Sequence, residues 1–189
     1  MSGMIKQDYV IDPISQLFLY NYEKYFNYLL KLHQNNNLPK INLFYGEKGI
    51  GKCTFAFHFI NYLLSQNEKY AYSLKNFEID YRNKSFRFAN SNLHPNFYLI
   101  NKISSKKSIE IDQIRNLFNF LNKTTYVNNI KIILIVDSEN LNNNASNALL
   151  KSLEEPSPNT FFFLIQNSSL PMIETIKSRC HIHKIFYDN

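Results

Sequence analysis

Three of the four glycines in this 189-residue chain, Gly46, Gly49 and Gly51, fall within six positions. Glycine lets the backbone turn where a side chain would obstruct it, so a sequence this sparing of it marks a place where bare backbone is needed. The run Gly46-Glu47-Lys48-Gly49-Ile50-Gly51-Lys52 follows the apolar stretch 41–45 and precedes a helical pattern over 55–65. Strand, glycine loop and helix in that order, with G-x-x-x-x-G-K spacing, form the pattern of a phosphate-binding loop. Its inward-turned N–H groups make an anion nest. The helix beginning near Lys52 aims its positive end at that nest, and the Lys52 ammonium reaches the outer phosphates.

Two positions depart from a fully equipped loop of this kind. The residue after the lysine is ordinarily a Ser or Thr whose hydroxyl ligates magnesium. Here it is Cys53, and a thiol is a poor ligand for so hard a cation. Thr54 comes next, but one residue further along a helix turns about 100° away. The second departure follows the apolar run 131–136, which ends at Asp137, where such folds keep a magnesium-holding acid. The residue after it is Ser138, and Glu139 stands one step beyond. If the strand pleat persists, Glu139 and Ser138 point to opposite faces. With Cys53 after the lysine, magnesium is expected to be poorly held, and with Ser138 where a hydrolytic site needs a carboxylate to activate water, hydrolysis is expected to be weak.

Apolar runs at 131–136 and 160–165 are continuous rather than alternating, which suits inner strands of a parallel sheet covered on both faces. Between the strands lie helical patterns: 20–32, 55–65, 111–121, 145–153 and 171–177. Further strands are expected at 41–45, 97–100 and 181–186. Alternation of strands with helices predicts an α/β fold with a central parallel sheet. With 44% hydrophobic residues the chain has ample material for a core, and no stretch of 18 apolar residues that would span a membrane. The N-terminus lacks the apolar segment of a secretory signal. Two cysteines, Cys53 and Cys180, make neither a disulfide framework nor a four-cysteine zinc site, which points to the cytoplasm. Cys180-His181 with His183 offers too few ligands for a metal.

Charge is unevenly placed. Between Glu68 and Lys107 eight Lys or Arg face three acids, which accounts for +5 of the formal +6. Aromatic residues Tyr70, Tyr72, Phe77, Tyr81, Phe86 and Phe88 are interleaved with them. Basic and aromatic residues together suit a single-stranded nucleic-acid platform, though a solvated insertion with a few packed rings has the same composition.

The runs Asn147-Ala148-Leu149-Leu150-Lys151-Ser152-Leu153-Glu154-Glu155-Pro156 and Ser178-Arg179-Cys180 closely resemble the bacterial clamp-loader subunits of DNA polymerase III. His94-Pro95-Asn96-Phe97, the run 109–115, and the eroded Cys53 and Ser138 positions make it most similar to the delta-prime kind. The resemblance covers about residues 15–187. It implies a P-loop NTPase of the AAA+, RecA-like class: a three-layer sandwich around a parallel sheet. A single AAA+ domain is expected over 1–189, with a short tail over about 1–14 and a basic insertion over about 67–93. The lid and collar domains of the family have no counterpart in these residues.

The resemblance further implies that ATP or ADP is the ligand, touched by Gly46, Glu47, Lys48, Gly49, Ile50, Gly51, Lys52, Cys53, Thr54, Asp137 and, as a polar sensor at a strand end, Asn167. Arg179 matches the arginine finger that such subunits lend in trans to a neighbour's nucleotide. The implied partners are the gamma/tau ATPase and delta subunits and, through the complex, the sliding clamp and primed DNA. No membrane partner is expected. No zinc is expected either, since residues 66–93 contain no cysteine where many relatives carry a zinc module. Weak or absent ATP hydrolysis is expected for this chain. The alternative is a gamma/tau-like subunit that hydrolyses ATP itself, and an unrelated phosphate-loop kinase or GTPase is more distant.

Overall fold

The computed structural model describes residues 12–123 and 130–186. The first eleven residues of the expected tail lie outside the described residues. From Asp12 the chain is already engaged, since a 3-10 turn at Pro13–Ser15 is capped by the Asp12 side chain and buries Ile14.

Five strands form one sheet: β1 (Ile41–Gly46), β2 (Phe97–Ile100), β3 (Lys131–Ile135), β4 (Thr160–Asn167) and β5 (His181–Lys184). Their spatial order is β2-β3-β4-β1-β5, and every pairing is parallel. The three inner strands are the apolar runs, as burial on both faces requires. Successive residues of β3 and β4 separate into two cores. Ile132, Leu134, Phe163 and Ile165 face one side with Phe44. Ile133, Ile135, Phe162 and Leu164 face the other with Leu43.

Helices cover both faces, which completes the three layers. The first core is closed by α1 (Glu23–Gln34) and α2 (Lys52–Ser65), through Phe26, Leu29, Phe55, Phe59 and Ile60. The second is closed by α4 (Ile111–Leu121), α5 (Asn143–Glu154) and the short α6 (Glu174–Lys177). Helix α4 opens on a reciprocal capping box between Glu110 and Gln113, and Asn142 caps α5 through the Ala145 amide at 2.8 Å.

The basic insertion holds a helix that apolar periodicity does not reveal, α3 (Lys84–Asn90). It is only seven residues long and depends on tertiary support. Asn83 caps it through the Phe86 amide at 2.7 Å, and Glu68 accepts from the Lys84 amide at 2.7 Å. Tyr72, Ile79 and Ala89 are buried in the first core, and Phe77 and Phe86 pack against it. The insertion is thus structured, and half of its aromatic residues serve the core.

Candidate functional site

A parallel sheet gathers the carboxyl ends of its strands at one edge, where the polar loops meet. The glycine loop leaves β1 there, Asp137 follows β3, and Asn167 ends β4, paired in register with Gly46. The loop geometry requires its glycines. Gly51 lies at φ +93° and begins α2 from the left-handed region, which a side chain rarely adopts. Gly46 is required for another reason, since a Cβ there would stand 2.4 Å from the Ile185 carbonyl oxygen.

Lys52 is buried, and its ammonium turns back onto its own loop. It donates to the Gly46 carbonyl at 2.8 Å and to the Glu47 carbonyl at 2.5 Å. Burial lowers the Lys52 pKa, opposed by the negative charges of Glu139 and Asp137. Glu47 and Lys48 are exposed on the rim. Tyr22, just before α1, closes the loop from the side. Its hydroxyl donates to the Ile50 carbonyl, and its ring stacks on Phe55 with centroids 5.2 Å apart. Nothing local in the sequence distinguishes Tyr22 from the other tyrosines of its segment, so its part in the loop was not anticipated.

Cys53 follows at the start of α2, with Thr54 part-buried after it. Burial pushes the Cys53 thiol up to about 12, with Asp12 and Asp137 adding to the rise. It therefore stays protonated and makes a poor metal ligand. A chain of phosphates would have room at Gly49, where a Cβ meets nothing within 4 Å, but Lys52 would have to leave the Gly46 and Glu47 carbonyls to reach it. The donor set fits magnesium less well, with Asp137 the remaining acid at its usual position.

The acidic turn differs from an extended continuation of β3. Asp137 adopts a left-handed conformation at φ 52° and ψ 51°, and Ser138–Asn140 form a 3-10 turn. A short polar side chain tolerates that conformation better than most. The pleat therefore ends before Ser138. The Ser138 hydroxyl is buried and donates to the Ile165 carbonyl at 2.9 Å. Glu139 turns toward the loop and accepts from the Asn167 amide at 3.3 Å. Burial raises the Glu139 pKa, opposed by hydrogen bonds from its own and the Asn167 backbone amides and, more weakly, by the Lys52 charge. The Asn167 side chain accepts from the Ser169 amide at 3.1 Å and so serves its own turn.

Arg179 is not part of this cluster. It lies two residues before His181, which pairs with Asn42 at the far end of β1 from the loop. Four residue steps along β1 separate that level from Gly46, about 13 Å along the sheet. There Arg179 donates to the Thr175 carbonyl at 2.7 Å and forms an ion pair with Glu154 at 2.5 Å, with about a third of its side chain exposed. Cys180 beside it is held protonated by burial, at about 12. His181 and His183 share one face of β5 with ring centroids 4.7 Å apart. No cluster able to hold a metal ion occurs among the described residues, nor does any helix there have the length and apolarity to cross a membrane.

A doubly covered parallel sheet of this strand order, with a glycine-lysine loop after β1 and an acid after β3, defines a P-loop NTPase fold of the AAA+ class. The sequence pattern of the family described as "DNA polymerase III, delta subunit" matches residues 22–188, and the chain belongs to that family. DNA polymerase III subunit delta' of Pseudomonas aeruginosa is 36% identical over 73% of this chain and 40% of its own length. The subunit of that name from Buchnera aphidicola (subsp. Schizaphis graminum) is 28% identical over 83% of the chain and 46% of its own length. The chain thus spans less than half the length of these relatives. Among solved structures, a DNA polymerase III gamma subunit-related protein of Thermotoga maritima superposes with a TM-score of 0.55 at 22% identity, over 85% of this chain and 46% of that one. The Holliday junction branch migration motor RuvB of the same organism gives 0.51 at 13% identity, over 92% and 49%. These two likenesses concern the fold.

Proposed function

We propose that this chain acts as a delta-prime subunit of the DNA polymerase III clamp loader, helping in the cytoplasm to place the sliding clamp on primed DNA. In this reading any ATP or ADP on the loop is held statically and hydrolysed little. Its contribution to catalysis is Arg179, lent to the nucleotide of an adjacent gamma/tau subunit, with delta as a further partner. The separation of Arg179 from the chain's own loop carries the proposal. A guanidinium at the opposite end of the sheet has no route to the phosphates bound beside Lys52, so any nucleotide it serves belongs to another chain. Arginine suits that role because it is always charged and forks onto phosphate oxygens.

Weak hydrolysis is supported by three features of the chain's own site. Ser138 is buried and bonded where a water-activating carboxylate would follow Asp137. Cys53 remains a thiol. The Lys52 ammonium is engaged by the loop's own carbonyls. ATP turnover by the purified chain tests this reading, together with its co-purification with the gamma/tau subunit. Negligible turnover and a stable complex are expected, and turnover at the rate of a motor would overturn it.

One observation favours the second reading, a gamma/tau-like subunit that hydrolyses ATP itself. Glu139 brings a carboxylate beside Lys52 and the end of β4. If that carboxylate activated water, Glu139→Gln would abolish a turnover that the wild-type chain must first display.

A further inference from the structure

Away from the phosphate loop, the segment between α2 and β2 encloses a second concave site of about 420 Å³. That size suits a small ligand. Its apolar surface includes Tyr70, Phe88 and Pro95, and its rim carries Lys69, Arg82 and Lys84. The cations lie against the rings. The Arg82 guanidinium carbon is 4.1 Å from the Tyr70 centroid, the Lys69 ammonium 5.4 Å from the same ring, and the Lys84 ammonium 5.6 Å from that of Phe88.

Both nearby carboxylates are already hydrogen-bonded, and Glu68 itself lines the cavity. Asp80 takes two bonds from the Arg82 guanidinium, at 2.9 and 2.6 Å. Glu68 is bonded to the Lys84 and Ser85 amides at 2.7 and 3.0 Å, at the start of α3. Among the described residues, the Lys69 and Lys84 ammonium groups have no ion pair. His94, at the back, contacts the Ser85 hydroxyl at 3.1 Å. Burial and the neighbouring Lys84 push it down to about 4, so it adds no charge near neutrality. The cavity therefore has an aromatic floor, with Arg82 already stacked on Tyr70, and two rim lysines that stand outside any ion pair of the described residues.

We propose that this cavity binds an aromatic base carrying a phosphate, as presented by single-stranded nucleic acid, with the base against Phe88 and the phosphate on Lys69 and Lys84. Rings accept any base by its flat face, and lysines on the rim follow the backbone. A duplex keeps its bases stacked inside and offers no free face to such a floor. The inference concerns this chain's own binding and stands whether or not the chain joins a loader.

The test is fluorescence anisotropy of a labelled oligothymidylate titrated with the full chain at low salt, with free dTMP as a second probe. Binding by the wild-type chain is expected to weaken about tenfold or more in the double variant Lys69→Gln, Lys84→Gln, with a salt slope shallower by roughly 1.4. Phe88→Leu keeps the bulk but loses the ring, and should weaken binding roughly fivefold with an unchanged salt slope. Lys69 and Lys84 are exposed and Phe88 is 38% exposed, and unchanged melting temperatures confirm intact folds. Loss of dTMP binding in the same double variant identifies a free nucleotide as the ligand. Loss of oligonucleotide binding alone identifies the strand. Absence of wild-type binding up to millimolar protein, or binding untouched by the double variant, overturns the proposal.

Discussion

Arg179 and Glu154 hold each other across the base of the sheet. The guanidinium donates to the carboxylate at 2.5 Å, and both side chains remain partly open to water. An exposed pair of this kind is worth little to stability, about 0–1 kcal/mol. It holds the arginine in place and is readily exchanged for a better anion. Arg179→Ala should therefore leave the melting temperature within a few degrees of wild type and sharply reduce ATP hydrolysis by a reconstituted loader. Glu154→Gln, which frees the guanidinium, should maintain or raise that hydrolysis. Unchanged hydrolysis in Arg179→Ala would remove it from the site.

The close approach of Gly46 to Ile185 makes a sharp steric prediction. A methyl at Gly46 would lie 2.4 Å from the Ile185 backbone oxygen, so the chain just after β5 must shift. Gly46→Ala should cost roughly 1–3 kcal/mol, the range for overpacking. Gly49→Ala meets nothing within 4 Å but keeps φ at +84°, a strain of about 1–2 kcal/mol. Urea denaturation of both variants measures the two costs. A silent Gly46→Ala would mean that the chain just after β5 is not pressed against the loop.

Tyr22→Phe removes one hydroxyl and keeps the stack on Phe55. The Ile50 carbonyl loses its donor, at a cost of about 1 kcal/mol. In a chain of this size that lowers the melting temperature by roughly 2–4 °C. Thermal unfolding followed by circular dichroism measures it, and a change larger than about 8 °C would show that the hydroxyl holds more than this one carbonyl.

Three histidines, His58, His94 and His183, are pushed down to about 4, chiefly by burial. The folded chain keeps these rings neutral, whereas the unfolded chain protonates them near 6.5. Their contribution is complete above pH 6.5 and drains away as pH falls toward 4, by up to about 1.4 kcal/mol per unit for each ring. Melting temperature should fall steadily over that window. His183→Asn should flatten the decline, since His183 bonds Asn42 at 2.9 Å inside the first core. A flat profile between pH 6.5 and 4.5 would contradict the burial of these rings.

What the sequence disclosed and what it withheld follow from the range of the forces involved. Strands β3 and β4 are legible because burial on both faces writes itself as an unbroken apolar run. The phosphate loop is legible because glycine is otherwise scarce. Helix α3 is not, because its start is closed by Glu68, sixteen residues before Lys84, and no local period records such a partner. The placement of Glu139 was obscured by one backbone conformation. A strand continued through Asp137 sets Glu139 by the pleat, whereas the left-handed turn sends Ser138 inward and Glu139 toward Lys52. The basic stretch gave its charge at once. Which rings serve the core and which line a cavity was decided only by three-dimensional packing.

The placement of Arg179 at one end of the sheet and the phosphate loop at the other has a geometric corollary. A unit that offers at one pole and receives at the opposite pole cannot satisfy both through a two-fold axis. If Arg179 and the loop act on neighbours as proposed, the contacts run head to tail, and any array built this way has a direction. The member whose cation faces outward and the member whose loop faces outward are then different positions, and order along the array becomes part of its chemistry.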